Sequence, residues 1–442
     1  MTQSQHANLR IIDLRGAELD SSLVNASVPR ASVDISVAIG QIQDLLADVK
    51  LRGVDAIVDV TQERDGVDPR PIRVSQAELT NALNTLEPSL RSSIEESISR
   101  VRKVSVATMP QAVSVSLSAG AKVHQRYVPV DSVGLYVPGG KAVYPSSVIM
   151  NVVPAQVAGV QRLVVATPAQ KDFGGRPHPT VLATAALLGV DEVLCMGGPA
   201  AIAGFAYGLP QIGFEPVNLV TGPGNIYVAA AKRALRGTIG IDSEAGTTEI
   251  LILADETANA RFIAFDLVSQ AEHDEAAASV LVTPSVELAH AVINEISAIA
   301  ANTQHSERVF TALGGQQSAV VLVDDLAAGI RFANDYATEH LEIHTKVNEA
   351  VLPQITNAGA VFLGEYSPVS LGDYIAGSNH VLPTGQQAKF GAGLGVLTFL
   401  RAQQVIDYDR QGLSEVSQLV NGFAQSEGLP AHGEAILARF ED

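Results

Sequence analysis

Cysteine is nearly absent from this sequence, and its scarcity excludes several kinds of site. The 442 residues contain one cysteine, Cys195, which stands in the apolar run VLCM. One thiol cannot form an internal disulfide, and a zinc site that needs two cysteines is excluded. We therefore interpret Cys195 as a small buried apolar side chain rather than a nucleophile.

Basic residues, a secretory signal and a clean membrane span are also lacking. Lys and Arg number 29 against 47 Asp and Glu, which gives a formal net charge of −18. Nucleic acids and anionic membranes attract basic surfaces, so we expect neither as a partner. The first ten residues, MTQSQHANLR, have no apolar core, and prolines and amides interrupt the apolar stretch at 143–165. These features predict a soluble cytoplasmic protein.

Short apolar runs alternate with alanine-rich helical segments from about residue 130 onward. The runs lie at residues 133–137, 162–167, 191–196, 217–220, 249–254, 279–283 and 319–323. Unbroken apolar strands that alternate with helices are typical of parallel sheets covered on both faces. The pattern predicts an α/β fold, with an amphipathic helix at 34–52 before it. The last fifty or so residues are polar and helical in pattern, and they lack the apolar residues for a core of their own.

Two glycine-rich turns are candidates for cofactor binding, although the usual dinucleotide motif is missing. No G-x-G-x-x-G stands between a predicted strand and a helix, and GAGLG at 391–395 does not follow a strand. The turn at 222–224, GPG, precedes Asn225 at the start of a helix, where free backbone amides would point at an anion. An ordinary strand–helix turn explains it equally well. Tyr136 ends a predicted strand and could contact a ring or ribose, or form the edge of the core.

Candidate catalytic side chains occur in four separate segments, at residues 270–273, 339–340, 373–380 and 427–432. In the first segment Gln270 and His273 would share a helical face, whereas Glu272 is the stronger metal ligand by residue type. Glu339 and His340 are adjacent and could supply an acid and a base around one substrate, or form a solvated charged turn.

The remaining two segments add carboxylates and histidines. Asp373 and His380 bound a loop rich in Gly, Asn and Ser, whereas Glu427 and His432 stand in the polar tail, where a lone histidine is usually a surface residue. Oxygen and imidazole ligands without thiolates suit Zn²⁺ or Mn²⁺. The residues alone favour an α/β enzyme and are compatible with a bound metal ion.

Several ordered motifs resemble the histidinol dehydrogenase family, and together they span nearly the whole chain. They are VGLYVPGG, PSSVIMNVVPA, TGPGN, SQAEHD, EHLEIHT, GDYIAGSNHVLPT and EGLPAHGEA. The resemblance implies oxidation of L-histidinol to L-histidine, with NAD used twice in succession and an enzyme-held aldehyde between the two steps. It also implies one Zn²⁺ for each subunit.

The resemblance further implies roles for individual residues. The zinc ligands would be Gln270, His273, Asp373 and His432, so Gln270 takes the place of Glu272. The histidinol pocket would comprise Thr248, Gln270, His273, His340, Asp373, Glu427 and His432. His340 would take the alcohol proton, and Glu339 would help to activate water on the aldehyde. Tyr136 and Asn225 would contact NAD.

The implied fold consists of two incomplete Rossmann-like domains, one inserted in the other, with helical N-terminal and C-terminal extensions. The expected division is an N-terminal segment (1–33), a domain with the metal and catalytic residues (34–120 with 249–393), an inserted NAD-binding domain (121–248) and a tail (394–442). The family forms homodimers in which the tail reaches the partner subunit. His432 would then serve as a ligand in the site of the other subunit.

Three positions depart from the family pattern. Ala200 stands where glutamine is frequent, Thr338 where proline is common, and Thr248 where serine is frequent. The first change could weaken a contact with NAD, the second would loosen a turn, and the third keeps the hydroxyl. Two alternatives stay open, namely a relative that oxidises another polar alcohol, such as a sulfonated diol, and a non-catalytic metal-binding paralogue. Glu427 argues against a sulfonated substrate, because like charges repel.

Overall fold

Two parallel sheets and one small antiparallel sheet organise the computed structural model, which describes residues 9–30, 35–139, 142–244 and 246–441. The strands are β1 (Arg10–Asp13), β2 (Val113–Ser118), β3 (Ala121–Pro129), β4 (Ser132–Tyr136), β5 (Arg162–Thr167), β6 (Glu192–Cys195), β7 (Leu219–Thr221), β8 (Gly240–Ile241), β9 (Glu249–Ala254), β10 (Ala278–Thr283), β11 (Ala319–Leu322), β12 (His340–His344), β13 (Ala360–Leu363) and β14 (Leu400–Tyr408). Parts of the predicted N-terminal segment (1–8 and 31–33) and Asp442 lie outside the described residues.

Helices connect most of these strands. They are α1 (Ser21–Ser27), α2 (Ile35–Arg52), α3 (Val54–Asp65), α4 (Gln76–Thr85), α5 (Pro88–Ala107), α6 (Pro145–Ala158), α7 (Pro179–Leu187), α8 (Gly198–Tyr207), α9 (Ile226–Leu235), α10 (Ala260–Ala271), α11 (Val286–Ala301), α12 (Ser306–Gly314), α13 (Leu326–Tyr336), α14 (Asn348–Val351), α15 (Val369–Tyr374), α16 (Arg410–Ser426) and α17 (Pro430–Leu437). Across the described ranges, no helix combines the length and the apolar character needed to cross a membrane.

The six-stranded sheet has the order β1-β11-β10-β9-β12-β13, and all its strands are parallel. Every residue of β9 is buried, because helices cover both faces of the sheet. Ile250 and Ile252 pack with α10, α11 and α12, whereas Leu251 and Leu253 pack with α1 and α13. The same alternation places the even-numbered residues of β12 on the side of α10.

The five-stranded sheet has the order β6-β5-β4-β7-β8 and is also parallel. On one face, helix α2 packs on α8 and α9. On the other face, α4 packs on α7 and α5 packs on α6. The buried stripe of α2, which includes Ile42 and Leu46, shares a core with Val164 of β5. The predicted α/β class is confirmed. The prediction grouped residues 34–120 with 249–393 in one domain. In the structure, helices α2 to α5 (residues 35–107) instead pack their apolar faces on the side of the five-stranded sheet.

Cys195 ends strand β6 in the interior of this five-stranded sheet. Its side chain is buried, and its Sγ lies 3.4 Å from the backbone oxygen of Gly175. Burial raises the pKa of the Cys195 thiol to about 12, so the thiolate that a nucleophile needs is disfavoured. The interpretation as a buried apolar side chain is confirmed.

The third sheet pairs β14 with β3 and β3 with β2, all antiparallel. Together with α16 and α17 it forms what we call the arm. Residues 400–408 were expected to be helical, but they pair with the whole of β3, from Leu400 opposite Pro129 to Tyr408 opposite Ala121. A helical prediction fails here because the pairing partner is far away in sequence. The arm exposes a set of large apolar side chains: Val113, Val115, Leu117, Val405, Ile406, Leu419, Phe423 and Leu429.

Candidate active site

The predicted catalytic residues lie at the amino-terminal edge of the six-stranded sheet. Thr248 directly precedes β9, His340 is the first residue of β12, and Gln270 lies in the last turn of α10. The loop after α15 links this edge to the five-stranded sheet, because Asn379 donates from its amide to the backbone oxygen of Met150 in α6 (2.7 Å). The site therefore lies between the two parallel sheets.

A chain of hydrogen bonds joins three of the predicted site residues. The side-chain amide of Gln270 donates to the hydroxyl of Thr248 (2.6 Å), and that hydroxyl donates to Oε2 of Glu339 (2.6 Å). The backbone N–H of Glu249 donates to the same oxygen (3.0 Å). These bonds fix the position of a carboxyl group that is only 6% exposed. The hydroxyl of Thr248 is the middle member of this series of hydrogen bonds. Serine and threonine both carry this hydroxyl, so the replacement of serine by threonine is mild.

Burial sets the protonation of Glu339. It raises the pKa of this carboxyl to about 8, against the opposing effect of the bonds from Thr248 and the Glu249 amide. A carboxyl group with this pKa exchanges its proton near neutral pH. Glu339 can therefore act as an acid in one step and as a base in another.

His340 presents one ring nitrogen as a base. Its Nδ1 lies 3.1 Å from the backbone oxygen of Glu249, and because a carbonyl can only accept, Nδ1 carries the proton. Nε2 is then left with a free electron pair. The side chain is buried, its ring lies 5.9 Å from that of Phe362, and burial lowers the pKa of the imidazole. His340 is thus neutral and able to accept a proton at neutral pH.

Three of the four predicted zinc ligands come together in the chain. Nε2 of His273 lies 3.8 Å from Oδ2 of Asp373, and Gln270 stands one helical turn before His273. Oε1 of Gln270 is buried and has no hydrogen-bond partner among the described residues. A buried amide oxygen without a partner is costly unless a ligand completes it. Oxygen and imidazole donors in this arrangement fit Zn²⁺.

The predicted site residues of the tail lie apart from this cluster. Glu427 follows the last residue of α16, and His432 lies in α17; both side chains are exposed. Helix α17 packs against α16. Within the ranges that the structure describes, neither side chain bonds to Gln270, His273 or Asp373. One chain therefore provides an incomplete form of the predicted ligand set.

The predicted NAD contacts lie at the carboxyl edge of the five-stranded sheet. Tyr136 ends β4 and is buried; its hydroxyl accepts from the N–H of Gly198 at the start of α8 (3.0 Å), and burial raises the pKa of Tyr136 to about 12. Asn225 caps α9, since its side-chain oxygen accepts from the N–H groups of Tyr227 and Val228. Open α/β sheets bind ligands at this edge. Ala200 is buried in α8 nearby.

The other residues that the sequence singled out have structural roles. Nδ1 of His380 donates to the backbone oxygen of Asp373 (3.0 Å), so its Nε2 accepts from the hydroxyl of Ser147 (3.0 Å). Asp373 lies in the last turn of α15 rather than in a loop, and His380 holds the end of this helix against α6. Thr338 was expected to loosen its turn. Instead the residue is buried, with its hydroxyl 3.4 Å from the backbone oxygen of Glu249, so the turn is well packed.

Sequence reasoning missed a second group of ionisable side chains beside the site. Asp266, Glu342 and His344 are buried, and their ligand-type atoms lie within 4.8 Å of one another. We call these three residues the inner triad. The signal was present in the sequence, because His340, Glu342 and His344 alternate along one strand, and Asp266 precedes Gln270 by one helical turn.

Comparisons with known proteins cover nearly the whole chain. Residues 28–440 match the family model of histidinol dehydrogenase. The histidinol dehydrogenase of Leifsonia xyli subsp. xyli is 54% identical over 434 residues, covering 98% of this chain and 100% of that protein, and that of Corynebacterium glutamicum is 54% identical over 434 residues, with 98% of each covered. The crystal structure of histidinol dehydrogenase from Elizabethkingia anophelis has a TM-score of 0.91 at 29% identity, covering 98% of both chains. The chain belongs to the histidinol dehydrogenase family.

Proposed function

We propose that this oxidoreductase catalyses the zinc-dependent, NAD-linked, four-electron oxidation of L-histidinol to L-histidine. The observation that carries the proposal is the adjacency of two poised proton acceptors. His340 offers a free Nε2, and Glu339 is buried with a pKa raised to about 8. Oxidation of an alcohol to an acid removes protons in both stages, so two proton acceptors at one carbon suit the reaction.

In the first stage, Nε2 of His340 removes the hydroxyl proton of histidinol while the carbon-bound hydrogen leaves as hydride. The product is an aldehyde. Nδ1 stays bonded to the backbone oxygen of Glu249, which holds the ring in one orientation throughout. Because burial lowers the pKa of His340, the imidazole gives up the proton readily afterwards.

In the second stage, Glu339 takes a proton from the water that adds to the aldehyde. The aldehyde oxygen gains a proton as the water adds, which gives a hydrate. The hydrate then loses a second hydride and both hydroxyl protons, one to Nε2 of His340 and one to solvent, and becomes the carboxylate of histidine. Thr248 and the Glu249 amide hold Oε2 of Glu339 in place during the transfer. NAD would bind against Tyr136 and Asn225 and accept the hydride in each stage.

Zinc would be held by Gln270, His273, Asp373 and His432. Its positive charge would bind the amine and the imidazole of the substrate. The partnerless Oε1 of Gln270 and the facing pair of His273 and Asp373 support this assignment. Glu427 would add a carboxylate that favours a cationic or imidazole substrate over an anionic one.

The same proposal requires a homodimer. Exposed apolar side chains on the arm, such as Ile406 (73% exposed) and Phe423 (72% exposed), form a surface of the kind that protein interfaces cover. We propose that a partner subunit covers this surface of the arm. The arm thereby brings Glu427 and His432 to the active site of the partner subunit. The division into an inserted NAD-binding domain (121–248) and a domain that carries the catalytic residues is part of the proposal, and so is a cytoplasmic location.

Substrate turnover tests the proposed function. The full-length protein, supplied with L-histidinol and NAD, should form about two NADH for each histidinol consumed, because two hydrides leave in sequence. A chelator should abolish the rate, and added Zn²⁺ should restore it. A sulfonated diol should give no rate in the same assay. Failure to oxidise histidinol with zinc restored would refute the proposal, and turnover of the diol instead would identify the other alcohol-oxidising relative.

A further inference from the structure

The inner triad lies on two elements, β12 and α10, that also carry members of what we call the catalytic cluster. The catalytic cluster comprises Thr248, Gln270, His273, Glu339, His340 and Asp373. Glu342 and His344 follow His340 at alternate positions of β12, and Asp266 lies one turn before Gln270 on α10. Nε2 of His344 is 3.2 Å from Oε2 of Glu342, and the two side chains are 2% and 0% exposed. Glu342 and His344 are therefore closed to solvent, and Asp266 is 9% exposed.

Several atoms of the triad are without hydrogen bonds. Oε1 of Glu342 accepts from the N–H of Val369 (2.8 Å). Nε2 of His344 and Oε2 of Glu342 are close but not aligned for a hydrogen bond, and in the described part of the chain neither these two buried atoms nor Nδ1 of His344 has a hydrogen-bond partner. Native proteins rarely leave so many buried polar atoms without a partner, so the geometry calls for a bound group.

Charge balance narrows the nature of that group. Full ionisation of both carboxyl groups would leave two negative charges without compensation in an apolar interior. Burial, together with the charge of Glu342, raises the pKa of Asp266 to about 8, which reflects the cost of holding both carboxylates ionised. Either two protons or one divalent cation would neutralise the triad. A proton on Asp266 would be shared with Glu342 alone, whereas a cation would coordinate Oε2 of Glu342 and a ring nitrogen of His344 together.

We propose that Asp266, Glu342 and His344 hold a divalent transition-metal ion, distinct from the zinc proposed at the catalytic cluster. Two carboxylates and one imidazole are a donor set that suits Zn²⁺ or Mn²⁺. The ion joins α10, which carries Gln270 and leads into His273, to β12, which begins with His340. It fixes the spacing between these elements and has no contact with the substrate.

Burial gives the two metal sites different exchange behaviour. His273 is 37% exposed, so a chelator reaches the catalytic ligands directly, whereas the inner triad opens only when the protein unfolds locally. The full-length protein, loaded with Zn²⁺ or Mn²⁺ and desalted, should hold about two metal ions for each chain. A brief chelator treatment should remove one ion and leave the other.

Variants assign the two ions by elemental analysis. Asp266→Asn or His344→Gln should lose the chelator-resistant ion, and Asp373→Ala should lose the chelator-sensitive one. Asp255→Asn is the matched control, a mostly buried acid outside both sites whose carboxylate accepts from the Thr257 and Lys346 amides. It should keep both ions. Anomalous diffraction at the metal absorption edge in wild-type crystals gives a second test that requires no variant to fold, and a peak should lie between the three side chains.

Absence of that peak, or metal content that is entirely chelator-sensitive, would overturn the inner site and leave the proposed function intact. A resistant ion that persists in both Asp266→Asn and His344→Gln would also overturn it. If the resistant ion behaves as expected while Asp373→Ala loses nothing, the inner site stands and the zinc assignment of the proposed function is wrong.

Discussion

The catalytic cluster and the arm differ in how they are held. In the cluster, Glu339 and His340 are buried, and both side chains are fixed by hydrogen bonds to the backbone of Glu249. On the arm, β2 is exposed along its whole length, and α16 presents Leu419 and Phe423 to solvent. The cluster contains both proposed proton-transfer groups within one chain, whereas the arm exposes its apolar side chains in one chain.

This difference explains why the predicted ligands divide as they do. Gln270, His273 and Asp373 stand on elements that pack into one core, so the fold of one chain brings them together. His432 stands on the arm, and its position depends on whatever covers the arm. The contrast supports the proposal that one subunit supplies Glu339 and His340 to each site, whereas the other subunit supplies the zinc ligand His432.

The largest effect is expected from His340→Gln, which attacks the cluster alone. Glutamine has no basic nitrogen, so kcat for histidinol should fall about 10²- to 10⁴-fold. The metal content and the melting temperature should stay close to wild type. His290→Gln, at an exposed histidine of α11, is the control and should keep full activity. A kcat for His340→Gln within threefold of wild type would exclude His340 as the base.

Glu339→Gln separates the two stages. Because the raised pKa keeps Glu339 protonated below about pH 8, its base form grows as the pH increases. The rate from histidinol aldehyde should therefore rise with pH and level off above about pH 8. In Glu339→Gln that rate should fall about 10²-fold and lose the rise. A pH profile that is unchanged in the variant would contradict the role of Glu339.

His432→Ala tests the arm with a smaller effect. Loss of one ligand of four should weaken zinc binding at least about 10-fold, as measured by competition with a coloured chelator. Glu434→Ala, an exposed residue of the same helix, serves as the control and should bind zinc as wild type does. Equal zinc affinity in the two variants would remove His432 from the ligand set.

Phe423→Ser should have the smallest effect, since it weakens only the cover of the arm. The free energy of unfolding of the isolated chain should change by less than about 0.5 kcal/mol, because the side chain is exposed in it. Activity should fall a few fold on dilution and return at high protein concentration. Leu51→Ser, at an 84% exposed leucine of α2, should show no dependence on concentration. The same behaviour in both variants would argue against an interface on the arm.

Predictions from the sequence succeeded where a strand is buried on both faces. The runs at 162–167 and 249–254 coincide with β5 and β9, because continuous apolar residues identify strands between two helical layers. Strand β2, with the sequence VSVSLS, was missed, since it is exposed and pairs with a strand of the arm. β14 was missed because its partner β3 lies far away in the sequence.

The active site also divides into features that the sequence predicted and features that it did not. Motifs carried by the family resemblance indicated Glu339, His340 and the ligand residues, but the hydrogen bonds that tune them were not accessible from the sequence. The bond from Gln270 through Thr248 to Glu339 joins three distant segments. The inner triad escaped notice because Glu342 and His344 lie in a motif that had already been assigned to catalysis.

Mixed dimers provide the most direct test of the central claim, that a complete site takes residues from two subunits. Glu339→Gln and His432→Ala are mixed, dissociated and allowed to reassociate. Histidinol oxidation is then measured at a free Zn²⁺ concentration too low to fill the weakened site of His432→Ala, so that each variant alone is nearly inactive. In a mixed dimer, one site has the intact Glu339 of one chain and the intact His432 of the other. Random pairing should restore about a quarter of the wild-type activity. Activity that stays at the level of the separate variants would contradict the shared site.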